Sequence, residues 1–227
     1  MAAIKINILP GFLSNMKKIF SAIVLISSCC HRVAGQEAKI ISDCTVYFTV
    51  SVEDAKADAR VIKSMAGATK VLYIKGSKSR SDLITPGFRQ TTLTDTKSDS
   101  TIILRELGNA KYISYLDDSK RSAQNKKYEG IRFNNTNDKK TISGYDCNKV
   151  VARVANGSTY NVFYAPSIMP SNKENEYQFK NLPGFVLEYE SESENGKTKI
   201  KYEASKITLE PVPNAMFDIP KSGYRIL

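Results

Sequence analysis

Carboxylates are the groups in this chain most able to do acid–base work, and two sets have telling spacings: the adjacent pair Asp117-Asp118, and Glu188, Glu190, Glu192 and Glu194 at every second position. Glycoside hydrolysis needs only two such acids facing one another. On a strand, however, alternate residues share one face. Glu188, Glu190 and Glu192 are therefore expected to form a solvated face opposite a buried one, and no catalysis is expected of them.

The remaining inventory is narrow. The single histidine is His31, so the chain from Gln36 onward holds neither His nor Trp. That removes Ser-His-Asp and Cys-His catalysis and every zinc site built on imidazole. GSKS at Gly76 and GYDC at Gly144 lack the spacing of a phosphate-binding loop, and no nucleophile elbow occurs. The expectation is a protein that is not an enzyme and has no cofactor or metal. Beyond Gln36 two cysteines remain, Cys44 and Cys147. Either they pair, closing a loop of roughly 100 residues that contributes about 4–5 kcal/mol in the chain-entropy model, or they stay as two buried thiols.

The leader bears on that choice. MKKIFSAIVLISSCC from Met16 has two lysines and then a short apolar run, the pattern of a secretory signal too short to span a bilayer. Residues 1–35 are read as a signal peptide, with 1–15 an over-extension if Met16 is the true start. Two exits compete. Val33-Ala34-Gly35 before Gln36 suits signal peptidase and leaves 227 − 35 = 192 residues, whereas Ile26-Ser27-Ser28-Cys29 resembles a lipobox that would acylate Cys29. Removing Lys5, Lys17, Lys18 and Arg32 lowers the formal charge from +10 to +6. The remaining lysines are spread along strands and turns without the clustering that a phosphate-tracking face needs, so nucleic acid is not an expected partner.

The elements that must position these residues are mostly strands. CTVYFTVSV at Cys44–Val52 alternates apolar with polar residues. A short helix is expected over Asp54–Ala66, with Asp54 able to cap it. Strands resume from Lys70, turn at Pro86-Gly87, and are expected near 89–94, 101–107, 111–116, 149–155, 160–165, 185–190, 198–204 and 207–209. Asn195-Gly196 reads as a hairpin turn. Asp117–Lys140 is expected to be loop, with at most a short helix or strand near Tyr128–Phe133. The C-terminal FDIPKSGYRIL carries Pro220 and Gly223 and suits an edge or a covering segment. Residues 36–227 fit one domain: mainly β (α+β), a strongly curved antiparallel sheet wrapped into an open half-barrel with one or two short helices.

Four stretches carry a family resemblance: YIKGSKSR at Tyr73–Arg80, TISGYDCNKVV at Thr141–Val151, NLPGFVLEYE at Asn181–Glu190, and FDIPKSGYRIL. Together the chain resembles the GLPGLI-type and neighbouring domain-of-unknown-function families of exported Gram-negative proteins, whose fold is similar to the LolA-like lipoprotein carriers. Here Asn181 stands where that signature has its first Gly, and Phe185-Val186 where it has Leu-Ile. The resemblance implies a LolA-like half-barrel and brings no activity with it.

The expected function is a non-catalytic binding protein of the periplasm or outer membrane, membrane-peripheral at most, holding a lipid, a lipoprotein acyl chain or an apolar peptide. The lining expected for it is Phe48, Tyr73, Tyr112, Phe163, Phe185, Leu187 and Tyr202. The alternative is an envelope module that docks a protein partner and has a filled core. The volume of the cavity discriminates between the two.

Overall fold

A computed structural model describes residues 37–52, 58–192 and 198–227 of the chain, and residues 37–227 make one compact unit. The leader, Cys29, the Asp54 cap and the Asn195-Gly196 turn lie outside the described residues. The strands are β1 Lys39–Ile41, β2 Asp43–Val52, β3 Thr69–Lys75, β4 Lys78–Thr85, β5 Phe88–Asp95, β6 Ser100–Leu107, β7 Ala110–Leu116, β8 Arg132–Ile142, β9 Tyr145–Arg153, β10 Thr159–Ala165, β11 Ile168–Pro170, β12 Phe185–Glu192, β13 Lys199–Thr208 and β14 Arg225–Ile226. Helices α1 Ala59–Met65 and α2 Asp118–Asn125 and three 3-10 segments, Lys126–Tyr128, Lys173–Phe179 and Asn214–Phe217, complete the described elements.

Twelve strands form one sheet in the order β14-β7-β6-β5-β4-β3-β2-β13-β12-β10-β9-β8, and β1 pairs with β11 separately. Pairing is antiparallel throughout the large sheet except where β14 joins β7. The sheet stays open, with β14 and β8 at its edges. It curls strongly at one end: the Ser143 hydroxyl, at the tip of the β8–β9 hairpin, donates to the carbonyl of Ala204 on β13 at 2.7 Å. Ser143 and Gly144 make that turn with φ of +48° and +85°, the left-handed pair that a two-residue hairpin demands. The mainly-β class, the open curved sheet and the short helices are as expected.

Alternation sets the faces. On β2, β3 and β12, Cys44, Val46, Phe48, Leu72, Ile74, Phe185, Leu187 and Tyr189 point inward and join one core. A second, smaller core lies on the other face of β5–β7, where Leu93, Ile102, Leu104 and Ile113 are covered by Phe217 and Tyr224 of the C-terminal segment. That segment is thus both an edge strand and a cover.

Two expectations are corrected. The Asp117–Lys140 region is not loop: Asp117 accepts from the Lys120 amide at 2.8 Å to cap α2, and Arg132–Ile142 is an eleven-residue strand. That strand, RFNNTNDKKTI, is a largely exposed edge interrupted by a bulge between Asn135 and Lys139, so it needs no apolar alternation. The expected short helix begins later than Asp54, at Ala59, and Asp58 caps it by accepting from the Arg60 amide. Cys44 and Cys147 are free thiols, both buried in the main core. No bridge joins them.

Candidate functional site

Lys70 opens the site. Its place on β3 has the same parity as Leu72 and Ile74, so the strand turns it inward, and it is only 5% exposed. An ammonium ion in that position needs compensation. The Phe48, Tyr189 and Tyr202 rings surround it, with centroids 5.5, 5.0 and 5.4 Å from Nζ, close enough for each to attract the cation. Nζ donates to the Tyr189 hydroxyl at 2.5 Å and to Glu176 Oε1. The rings fix one another: Tyr189 and Tyr202 stack at 4.7 Å, while Phe48 and Phe179 meet Tyr189 edge-on.

Glu176 reaches Lys70 because of how its segment is pinned. Asn172 is fully buried, donates to the carbonyl of Ser77 at 2.8 Å and caps the segment by accepting from the Glu174 amide at 3.0 Å. Phe179 anchors the far end in the core. Between them Glu176 takes extended backbone angles, φ −135° and ψ 91°, that break the 3-10 geometry. The Gln178 amide donates to its second oxygen at 3.0 Å. Burial, then the Glu176 charge, pushes the Tyr189 phenol well above its ordinary value, and burial raises that of Tyr202. Both phenols are neutral at physiological pH.

Two spaces flank this cage. One is a mainly apolar hollow lined by Phe48, Leu72, Phe179, Leu182, Phe185 and Tyr189, with Lys173, Asn175, Glu176 and Lys180 also bordering it, and a volume of about 20 Å³, enough for a single water. The other is an open groove of about 370 Å³, within the range of small-ligand sites. Its floor is the row Ser81, Gln90, Thr92, Thr94 and Thr101 on β4–β6. Its walls are Arg121, Gln124, Asn125 and Lys127 on one side and Glu174–Gln178 on the other, and Lys70, Tyr189 and Tyr202 stand at its end. Hydroxyl and amide side chains are the most numerous in this lining, and Leu83, Leu116 and the rings of Tyr128 and Tyr177 add apolar surface between them. Arg121 is held by Asp99 and Asp118, at 2.8 and 2.6 Å.

The structure divides the residues expected to line a cavity. Phe48 and Tyr202 belong to the cage, Phe185 to the apolar hollow, and Leu187 is fully buried. Tyr73, Tyr112 and Phe163 border neither space, which corrects the expectation for them. Tyr73 pairs with Arg80 on the face opposite Lys70, Tyr112 lies beside β14, and Phe163 carries Lys140 at 4.5 Å on the outer face. Alternation assigns residues to two faces and leaves open which one is enclosed.

The outer face also corrects the reading of the glutamates. Glu188 is 6% exposed and bonded to Lys140, which lies 3.7 Å from Glu203. Glu190 accepts from the Asn161 side chain at 2.7 Å and pairs with Lys199 at 3.1 Å. Burial raises the Glu188 carboxyl above its ordinary range, while the hydrogen bond with Glu188 holds Glu203 below it. Cross-strand charges, rather than solvent, satisfy these acids, and Asp117 and Asp118 are occupied by a helix cap and by Arg121. Glu194 lies outside the described residues. Among the described residues no three His, Cys, Asp or Glu side chains cluster to hold a metal.

No family model matches this chain, and no curated protein matches it. Among solved structures, the chain is similar to PNGF-II (14% identity, 81% of this chain and 30% of that one, TM-score 0.46). It is also similar to the MucA/MucB complex of Pseudomonas aeruginosa (9%, 78% and 56%, 0.42) and to an uncharacterized conserved protein of Thermus thermophilus (12%, 91% and 98%, 0.44). The chain spans less than two thirds of the first two. Likenesses this loose assign neither a family nor a function.

Sequence reasoning overlooked Lys70, although its shared parity with Leu72 and Ile74 was a usable signal. Glu176 left none, because no periodicity marks a carboxylate on an irregular segment.

Proposed function

We propose that this protein is a non-catalytic, exported binding module that takes an extended, polar segment of a partner protein into the groove between β4–β6 and the Glu174–Gln178 wall. One contrast carries the reading: the hollow on the apolar inner face leaves about 20 Å³, whereas the groove of about 370 Å³ on that face is lined mostly by hydroxyl, amide and charged side chains; a smaller space of about 220 Å³ lies on the opposite face beside Leu93, Ile102, Phe217 and Ile219. An acyl chain gains affinity from apolar burial, but the apolar surface of Leu83, Leu116 and the tyrosine rings is interleaved with hydroxyl, amide and charged groups that such a chain would desolvate without compensation. A peptide brings backbone donors and acceptors that the Thr and Gln row can satisfy. The leader at residues 16–35 supports export and a cell-envelope setting, with the partner an envelope protein.

The test is a photo-cross-linking residue placed at Thr94 in the groove and, as control, at the exposed Tyr47. In cells that make the protein, Thr94 is expected to capture one partner polypeptide through a contiguous polar stretch identified by peptide mapping. Capture of lipid at Thr94, or identical products from both positions, overturns the reading.

A further inference from the structure

The chemistry at the end of the groove narrows what the partner segment carries, and the argument here rests on the groove reading. Lys70 is a buried cation that still lines the open groove. Its counter-ion comes from an irregular wall segment rather than from a neighbouring strand, and that carboxylate side chain is 22% exposed. Three rings and a neutral phenol hold the ammonium in place. The cage is therefore built around the cation, and Glu176 enters from the groove side.

We propose that the Lys70 cage is a carboxylate-binding site whose resident occupant is Glu176, and that the bound segment places a carboxylate of its own on Lys70 in exchange for it. The exchange keeps one negative charge beside the buried ammonium at every stage, which avoids the cost of an unpaired buried ion. The displaced Glu176 swings into the groove, where water and Lys127, another groove residue, receive it. A neutral segment of the same shape would have to leave Glu176 in place and would lose the groove end.

Two acid probes separate the sources of the carboxylate. N-acetylglutamic acid α-amide offers a side-chain carboxylate, N-acetylalanine a chain terminus, and N-acetylglutamine amide is the neutral control. Each is titrated at constant ionic strength into the wild-type protein and into Glu176→Gln, following the melting temperature and the NMR signals of Phe48, Tyr189 and Tyr202. At least one acid is expected to bind both proteins saturably, with affinity about tenfold or more higher in Glu176→Gln, and the neutral control is expected to bind neither tightly. In Lys70→Met the acids lose their advantage over the control. Should Glu176→Gln be unfolded, refolding driven by the acids and not by the control is the same expected result. Equal responses to acid and control overturn the proposal. So does an acid response confined to the variant, which would leave Glu176 as a permanent counter-ion. The cross-link at Thr94 reads the groove independently, so either idea can fail while the other stands.

Discussion

Removing the two partners of the buried ion pair one at a time should have unequal consequences. Glu176→Gln leaves the Lys70 ammonium, with a side chain only 6% exposed, lacking its counter-charge. Breaking a buried pair in this way costs about 3–5 kcal/mol. The three rings around Nζ still favour the cation, by up to about 2 kcal/mol when desolvated, so the lower end, about 3 kcal/mol, is expected. For a domain of this size that lowers the melting temperature by about 6–12 °C. Lys70→Met differs, because it puts an apolar chain of similar length among Phe48, Tyr189 and Tyr202, and the orphaned Glu176 can turn to water in the groove. A cost of about 1 kcal/mol is expected, and the double variant should resemble Lys70→Met. The cycle then yields a coupling of about 3 kcal/mol, measured from urea midpoints at unchanged m-value. Equal costs below about 1 kcal/mol for both single variants would mean that Lys70 is hydrated, and the account of the cage would fail.

Three further outcomes follow. Gly184→Ala should cost about 1–3 kcal/mol in urea unfolding, because an added Cβ would sit 2.4 Å from the Ala165 carbonyl oxygen and 2.6 Å from the Tyr164 ring; a neutral result would show that β10 yields. Burial pushes the Cys44 thiol up to about 12 and the Cys147 thiol up to about 11, so in a chain beginning at Gln36 a thiol reagent should label neither in the native state and both after unfolding without reductant, whereas no labelling after unfolding would establish a bridge. The raised Glu188 carboxyl, ordinarily at 4.5, binds its proton more tightly folded than unfolded. Its increment to stability is therefore complete below 4.5 and is lost as pH rises through the raised value. Glu188→Gln should gain stability relative to the parent across that window, in urea midpoints compared from about pH 4 to about pH 7; a flat or opposite trend refutes the assignment.

How far the sequence could be read depended on how each stretch is buried. NLPGFVLEYE was legible because β12 has one apolar face, and Phe185, Leu187 and Tyr189 do enter the core. Its Pro-Gly turn has a reason that sequence alone could not supply: Gly184 lies where backbone from β10 leaves no room for a side chain. The same periodicity misassigned Glu188, since its face is covered by Lys140 from β8, a strand distant in sequence and itself unreadable as an exposed edge. Tyr73 and Phe163 alternate correctly and yet face away from the groove, because both faces of this sheet carry cover, from the C-terminal segment on one half and from cross-strand charges on the other. The site itself was the least legible part. Threonines and serines on β4–β6 read as ordinary strand residues, and only the topology gathers them beneath Glu174–Gln178.

Native mass spectrometry of the protein isolated from cells that make it, together with titration by an apolar fluorophore, bears most directly on the claim that the apolar face is filled and the polar groove is the binding surface. No bound lipid and no saturable fluorophore binding are expected, and any mass adduct is expected to be polypeptide. A stoichiometric lipid adduct would contradict the claim, whether the guest parts Phe48, Phe185 and Tyr189, which close the apolar hollow to about 20 Å³, or enters the space of about 220 Å³ beside Leu93, Ile102, Phe217 and Ile219.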